Sequence, residues 1–225
     1  MMVIGERRGT DRLLRIGLLS AAAAVVVYVV MLVGYRQGWG WLSAVDHAGL
    51  QADYRIGSQH PDWVRFWYAI TTIFKPQVFR LLAVIAAGAE IVRRRPRSAL
   101  FLLVAVEMTE PITRLAKHSV CRPRPVDALV KVSSYSFPSG HALGVVVGVG
   151  ALLAVIVPLL RPRAQAVAIA AGVLVVVAVG VSRVALVVHH VSDVLAGWAL
   201  GWVWLVVVAA VFRPWRSERG EPLHD

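Results

Sequence analysis

Charged residues are scarce in this chain of 225 residues, and cysteine is almost absent. Only 16% of the residues are charged and 58% are hydrophobic, whereas an ordinary soluble domain is about 25% charged. Cys121 is the single cysteine, which excludes an intrachain disulfide and a disulfide-rich secreted scaffold. The long apolar runs exclude a disordered chain and an ordinary soluble domain. What remains is an integral membrane protein with a formal net charge of +11.

Six apolar runs predict an all-α, polytopic membrane helix bundle with about six transmembrane helices. A membrane-spanning helix needs about 20 mostly apolar residues, and runs of this length are too long for buried strands. Charged residues interrupt the second and third runs, whereas the other four are free of them. In chain order the predicted spans are Ile16–Val33, Pro76–Val92, Ala99–Ala116, His141–Leu160, Ala164–Val181 and Val194–Phe212.

Four arginine clusters orient the predicted bundle. They hold 13 of the 24 basic residues and lie at 7–15, 93–97, 161–163 and 213–219. Short basic clusters favour the cytoplasmic side, so both termini are expected inside. Most of the positive charge is then explained by topology. The sequence shows no basic face with base-reading groups, so a nucleic-acid partner is not predicted. The segments expected outside are Tyr35–Lys75, Lys117–Gly140 and Arg183–Asp193.

The first outer segment contains a stretch, Asp62–Phe74, with an apolar helical face. Trp and Tyr favour the membrane–water interface, so the stretch predicts an interfacial helix in the first outer loop. An ordinary helix packed within that loop is an equally open alternative. Neither a repeat nor a linker divides the chain, and a single membrane-embedded domain over 1–225 is expected. The residues on the apolar face are Trp63, Phe66, Trp67 and Ile70.

Basic residues that topology leaves unexplained gather at the end of the third span. Lys117 ends this span, and Pro123 and Pro125 break the helix beyond it. Lys117, Arg122 and Arg124 can therefore converge, and an ammonium beside a guanidinium suits a phosphate. The alternative is a group of cations that extend along the membrane surface from a helix end.

A histidine and a carboxylate stand at helical spacing before the last span. His189 and Asp193 are four residues apart and share one face of a helix. A carboxylate bonded to one imidazole nitrogen makes the other a better nucleophile, and Arg183 precedes the pair. The alternative is interfacial histidines with Asp193 as a charge at the helix start. His190 fits that alternative, and no role is assigned to it.

The fourth span begins at Pro138-Ser139-Gly140-His141. The free N–H groups at a helix start attract anions, and a glycine there allows a close approach. The alternative is a simple cap by Ser139 with a turn glycine. The histidines show no HExxH or similar spacing, so neither a metal site nor a cofactor is predicted.

Together the three segments resemble the type 2 phosphatidic acid phosphatases, in the superfamily shared with vanadium haloperoxidases and bacterial acid phosphatases. The pattern K-x6-R-P lies at Lys117–Pro125, and P-S-G-H lies at Pro138–His141. The pattern S-R-x5-H-x3-D lies at Ser182–Asp193, so the motifs occupy 117–193. Three motifs in this order and register are far more specific than any one of them.

The resemblance implies metal-independent hydrolysis of a phosphate ester through a phosphohistidine. It makes His189 the nucleophile, Asp193 the residue that orients it, and His141 the proton donor to the leaving oxygen. The residues it implies for binding the phosphate are Lys117, Arg124, Ser139, Gly140 and Arg183.

The membrane setting predicts a lipid phosphate or diphosphate as the substrate. The site is expected at the outer face of a bacterial plasma membrane, in contact with the bilayer. Undecaprenyl diphosphate, phosphatidylglycerophosphate and phosphatidate are the candidates, with the first slightly favoured. A lipid phosphotransferase with the same histidine chemistry, a non-catalytic anion carrier and a haloperoxidase are the alternatives. The lipid and the oligomeric state are left open.

Overall fold

Helices form the bundle in the computed structural model, which describes residues 2–214 and their side chains from residue 15 onward. A short 3-10 turn at Val157–Leu159 extends one of these helices. The described helices are α1 (Met2–Gln37), α2 (Gly40–Gly57), α3 (Pro61–Ile73), α4 (Pro76–Val92), α5 (Pro96–Glu107), α6 (Thr109–Val120), α7 (Gly140–Ile156), α8 (Pro162–Ala185) and α9 (Val191–Phe212).

Within the described residues, five helical stretches are long and apolar enough to cross a membrane. This confirms the predicted all-α membrane bundle, and its count is close to the six spans expected. The stretches are Arg15–Gln37, Pro61–Val92, Gly140–Leu159, Pro162–Ala185 and Val191–Phe212.

The third predicted span, Ala99–Ala116, was wrong as a single helix. The chain forms α5 and α6 there, each of 12 residues, with a break at Met108. Pro111 explains the break, because it has no N–H to donate to the carbonyl of Glu107 four residues earlier. Each of the two helices is too short to cross a bilayer alone.

The segment Tyr35–Lys75, which was predicted to lie outside, folds into helices over one end of the bundle. The predicted helix at Asp62–Phe74 is observed as α3, and its placement at a membrane interface remains a prediction. Helix α2 was not predicted. Helix α3 packs against α8, and α2 packs against both α8 and α9. The segment is therefore part of the bundle and can position residues of a site.

Helices α7 and α9 form the centre of the bundle. In the most apolar part of α7, 50% of the residues are buried, and in that of α9, 44% are buried. The corresponding fractions are 11% in α1 and 17% in α8. Gly197 permits their close packing, because a Cβ on it would lie 2.5 Å from the carbonyl oxygen of Ser139. The starts of α7 and α9, which carry two of the motifs, are thereby held against each other.

The three segments predicted to share one side meet at the same end of the bundle. The Arg36 guanidinium donates to the Ser119 carbonyl at 2.7 Å, and the Leu129 N–H donates to the Leu186 carbonyl at 3.1 Å. Of the predicted cytoplasmic arginines, five lie outside the residues whose side chains are described, namely Arg7, Arg8, Arg12, Arg216 and Arg219.

Candidate active site

A cavity of about 960 Å³ opens among α4, α6, α7 and the turn between α8 and α9. Side chains or backbone from all three motifs line it. Ser139 and Asp193 lie behind the cavity wall and are fully buried, each with 0% exposure. The structure thus places six predicted site residues around one space and two directly behind it. The six are Lys117, Arg124, Gly140, His141, Arg183 and His189.

The end of α6 sets the positions of Lys117 and Arg124. Cys121 ends the helix in the left-handed region, with φ 54°, and its N–H donates to the Lys117 carbonyl at 2.8 Å. The Lys117 ammonium donates to the carbonyl of Tyr135, and the Arg124 Nε donates to the carbonyl of Ser134 at 2.6 Å. Both cations are therefore held by the segment that leads into α7.

The turn between α8 and α9 explains the spacing of the third motif. The N–H groups of Val188 and His189 donate to the carbonyl of Arg183 at 3.1 and 3.2 Å. Asp193 lies in the first turn of α9, where its Oδ2 accepts from the His190 N–H at 2.9 Å. The five residues between Arg183 and His189 thus form the turn. The three residues between His189 and Asp193 lead into the first turn of α9, which is a capped helix.

The neighbours of His189 determine which ring nitrogen carries the proton and which carries the lone pair. Nε2 lies 3.2 Å from the Arg124 Nη1, and arginine can only donate, so Nε2 must accept. In the neutral ring the proton is then on Nδ1, which lies 3.4 Å from Asp193 Oδ2. This contact lacks the alignment of a full hydrogen bond. Distances of this kind commonly tighten when a substrate binds. The lone pair on Nε2 faces the cavity side occupied by Arg124.

Burial keeps His189 neutral. The residue is 1% exposed, and this desolvation lowers its pKa well below the ordinary value of 6.5. The carboxylate of Asp193 acts in the opposite direction, and the charges of Arg124 and Arg183 lower the pKa further. A neutral imidazole is the form that a nucleophile requires.

Arg183 is held by a residue of α3. Its Nη1 donates to the Thr71 hydroxyl at 2.7 Å, and both residues are 4% exposed. The Arg183 Nε is buried without a partner, which costs free energy unless a ligand accepts from it. Since Arg183 lines the cavity, an anionic oxygen there would satisfy this donor.

The start of α7 combines a cap with a cavity wall. Ser139 Oγ accepts from the Ala142 N–H at 3.5 Å, which is the capping arrangement. Gly140 and His141 line the cavity. A Cβ on Gly140 would lie 2.9 Å from Thr113 Cγ2 on α6. The glycine thus allows α6 and α7 to approach beside the cavity.

Arg122 does not converge with Lys117 and Arg124 as the sequence suggested. It turns away from the cavity, is 6% exposed, and donates to Asp193 Oδ1 at 2.8 Å and to Asp46 Oδ2 at 2.9 Å. Two carboxylates attract its guanidinium, whereas the cations that line the cavity repel it. A lone Asp46 within the apolar stretch WLSAVDHAGL was the available signal for this partner. Thr71 carried no such signal.

The cavity wall also carries charged residues that interrupted the second and third predicted spans. Glu110 pairs with Arg114 at 3.1 Å, as their spacing predicts, and with Arg80 at 3.2 Å. All three line the cavity. Glu110 precedes Lys117 by seven residues, which places it about 10 Å further along α6. The cavity therefore extends well beyond the motif residues.

Comparison with known proteins agrees with this geometry. Residues 98–217 match the family model of the PAP2 superfamily. Phosphatidylglycerophosphatase B from Bacillus subtilis (strain 168) is 39% identical over 125 residues, which cover 54% of this chain and 61% of that protein. The chain thus spans about three fifths of this relative's length in the aligned region.

A solved structure is similar over nearly the whole fold. It is described as the first transmembrane PAP2 type phosphatidylglycerolphosphate phosphatase from Bacillus subtilis. It matches with a TM-score of 0.77 and 26% identity, covering 89% of this chain and 99% of that one. With the five apolar stretches, this similarity makes the protein a multi-pass membrane protein.

The chain belongs to the PAP2 superfamily. The family resemblance drawn from the three motifs is thereby confirmed, as is the fold class of a transmembrane helix bundle. Asp46 and Thr71 lie outside the matched residues 98–217.

Proposed function

We propose that this protein is a membrane lipid phosphatase that hydrolyses a phosphate ester through a phosphohistidine on His189. The observation that carries the proposal is the state of His189. Its Nε2 lone pair faces a cavity lined by cations, and its Nδ1 faces a buried carboxylate. The family membership and the names of the two relatives support the same activity.

In the first step, Nε2 attacks the phosphorus and the bond from phosphorus to the lipid oxygen breaks. Lys117, Arg124 and Arg183 stabilise the charge on the phosphoryl oxygens, with the N–H groups at the Gly140 helix start. His141 donates a proton to the leaving oxygen. Arg124 exchanges its contact with Nε2 for a phosphoryl oxygen as the substrate arrives.

In the second step, water attacks the phosphohistidine. The bond from phosphorus to Nε2 breaks, inorganic phosphate leaves, and the proton from water returns to His141. Asp193 holds the Nδ1 proton throughout and stabilises the charge on the ring. Ser139 supports the start of α7 as its cap. The chemistry needs positioning and charge stabilisation, which the three cations and the helix start supply.

The extent of the cavity supports a lipid substrate. With the phosphate near Lys117, the remainder of the molecule extends along α6 toward Glu110, about 10 Å away. Polar and charged residues line this path, which suits the headgroup of a lipid. The neighbouring helices α4 and α7 belong to apolar stretches, along which acyl or prenyl chains can lie. Phosphatidylglycerophosphate is our first choice, since both relatives are named for it. Undecaprenyl diphosphate and phosphatidate remain to be compared with it.

The function is tested by phosphate release from purified protein. The three candidate lipids are supplied in detergent, without an added acceptor and with a chelator present. We expect the wild-type protein to release phosphate. When the lipid carries a labelled phosphate, we also expect a labelled phosphoprotein that survives denaturation without acid. Both signals should be lost in His189→Ala. A His189→Ala variant that turns over at the wild-type rate would refute the nucleophile. Loss of activity with chelator, restored by a divalent cation, would refute the metal-independent mechanism.

We also propose that the cavity faces the outside of the cell. The positive-inside rule supports this, because Arg93–Arg97 and Arg161 lie at the ends of helices remote from the cavity. Cys121 is the only cysteine, is exposed, and lies at the cavity end of α6. A membrane-impermeant thiol reagent should label it in intact cells. A variant with Cys121→Ser and Arg163→Cys should be labelled only after lysis. The reverse pattern would show that the cavity faces the cytoplasm.

A further inference from the structure

We propose that Asp46 and Arg122 are positioning residues that fix Asp193, and through it His189, for the reaction. This inference rests on the proposed phosphatase function. It assigns a role to α2, which lies outside the part of the chain that matches the family.

Arg122 bridges the two carboxylates within a buried cluster. Its Nη1 donates to Asp193 Oδ1 at 2.8 Å and to the Ser192 hydroxyl at 2.7 Å, and its Nη2 donates to Asp46 Oδ2 at 2.9 Å. The side chains of Arg122, Asp46 and Asp193 are 8%, 4% and 0% exposed. Water can therefore replace none of these contacts without opening the fold.

Asp46 also holds the start of α9 directly. Its Oδ1 accepts from the Ser192 N–H at 2.9 Å, and its Oδ2 accepts from the Ser192 hydroxyl at 2.7 Å. A carboxylate at the N-terminus of a helix is favoured by the helix dipole. Asp46 thus fixes both Arg122 and the first turn of the helix that carries Asp193.

The two oxygens of Asp193 are consequently divided between two tasks. Oδ1 is taken by Arg122, while Oδ2 faces His189 Nδ1 and accepts from the His190 N–H and the Ser136 hydroxyl. The carboxylate cannot rotate without losing bonds on both oxygens. A fixed carboxylate fixes the tautomer and the ring plane of the histidine.

Further contacts hold Arg122 itself. Its guanidinium carbon lies 4.4 Å from the centre of the Tyr35 ring, and its carbonyl accepts from the Ser136 N–H at 2.8 Å. The aromatic face and the charged fork favour arginine over lysine here. The end of α1, helix α2, the loop after α6 and the start of α9 therefore meet at one side chain.

The test measures kcat, KM and the pH dependence of kcat/KM for Asp46→Asn, Arg122→Gln and Arg122→Lys. The control is the exposed pair Asp62 and Arg65, also a carboxylate and a guanidinium, which lie 3.1 Å apart with 92% and 79% side-chain exposure. We expect Asp46→Asn and Arg122→Gln to lose about 10- to 100-fold in kcat. Their KM should stay within about twofold, because neither residue reaches the cavity. Arg122→Lys should recover part of the loss, and Asp62→Asn and Arg65→Gln should match the wild type.

The acid limb of the pH profile separates positioning from mere support of the fold. His189 is faced by Asp193 on α9, Arg183 on α8 and Arg124 in the loop, and His141 and Lys117 line the same cavity. His190 Nδ1 also lies 3.2 Å from Asp193 Oδ2. Arg122→Gln removes a cation beside Asp193, so the limb should move to higher pH. Asp46→Asn leaves Arg122 less neutralised, so the limb should move to lower pH. A purely structural role would not move the limb in opposite directions.

The outcomes are distinct. Folded variants with wild-type kcat, or with kcat and KM impaired together and no movement of the acid limb, would overturn the inference. If a single variant does not fold, the double variant Asp46→Asn, Arg122→Gln removes both charges together and avoids an unpaired buried ion. Its kcat should still fall at least tenfold, and a wild-type value would overturn the inference. Absence of phosphate release by the wild-type protein would instead refute the proposed function.

Discussion

Replacement of Gly197 by alanine tests whether the contact between α7 and α9 assembles the site. A Cβ on Gly197 would lie 2.5 Å from the Ser139 carbonyl oxygen, 3.0 Å from Ala142 Cβ and 3.3 Å from the Leu143 nitrogen. Ordinary contacts begin near 3.4 Å, so the helices must separate by about 0.9 Å. The nearest atom belongs to the backbone and cannot rotate away. The displacement is therefore passed to the starts of both helices.

Gly197→Ala is expected to lower both turnover and stability. A misplacement of about 1 Å between reacting groups can cost about 100-fold in rate. Overpacking of a tight contact costs about 1–3 kcal/mol in stability. We expect kcat for phosphate release to fall about 10- to 100-fold, and thermal unfolding in detergent to report a stability loss in this range.

Gly88→Ala is the matched control, because a Cβ on Gly88 meets nothing within 4 Å. Alanine is favoured over glycine within a helix by about 1 kcal/mol. Both variants gain this preference, so the difference between them isolates the contact of Gly197 with α7. A folded Gly197→Ala protein with the turnover of Gly88→Ala would refute the argument that this contact sets the site geometry.

Three further predictions concern the cavity. Thr71→Val should raise KM about three- to tenfold, because it removes the acceptor of a hydrogen bond from Arg183. Thr72→Val, at the exposed neighbouring position, should leave KM unchanged. Equal KM values in the two variants would contradict the role of Thr71. Because burial lowers the pKa of His189, the loss of activity on the acid side should begin below the ordinary value of 6.5. A plot of kcat/KM corrected for substrate ionisation checks this, and an acid limb above 6.5 would contradict it. Vanadate should compete with the lipid substrate in phosphate-release assays, and unchanged kinetics at high vanadate would count against the cationic cavity.

Local sequence was enough to predict most of the helices and to locate all three motifs. The prediction for α4 agrees with the structure at both ends, Pro76 and Val92, because proline begins the helix and three arginines follow it. The break at Met108 was missed, although Pro111 signalled it. Helix α2 was missed because its apolar residues form no run long enough to mark a span.

The amino-acid sequence by itself determined the class of protein, the number of spans to within one, and the motif residues that surround the cavity. Charge, apolar length and motif spacing are properties of neighbouring residues, and they persist in any fold that the chain adopts. Only the tertiary structure decided that Arg122 faces Asp46 and Asp193 while Arg124 faces His189. The two arginines stand in nearly identical local sequence. What distinguishes them is a buried carboxylate from α2, 76 residues away along the chain, which becomes a neighbour only when the bundle closes.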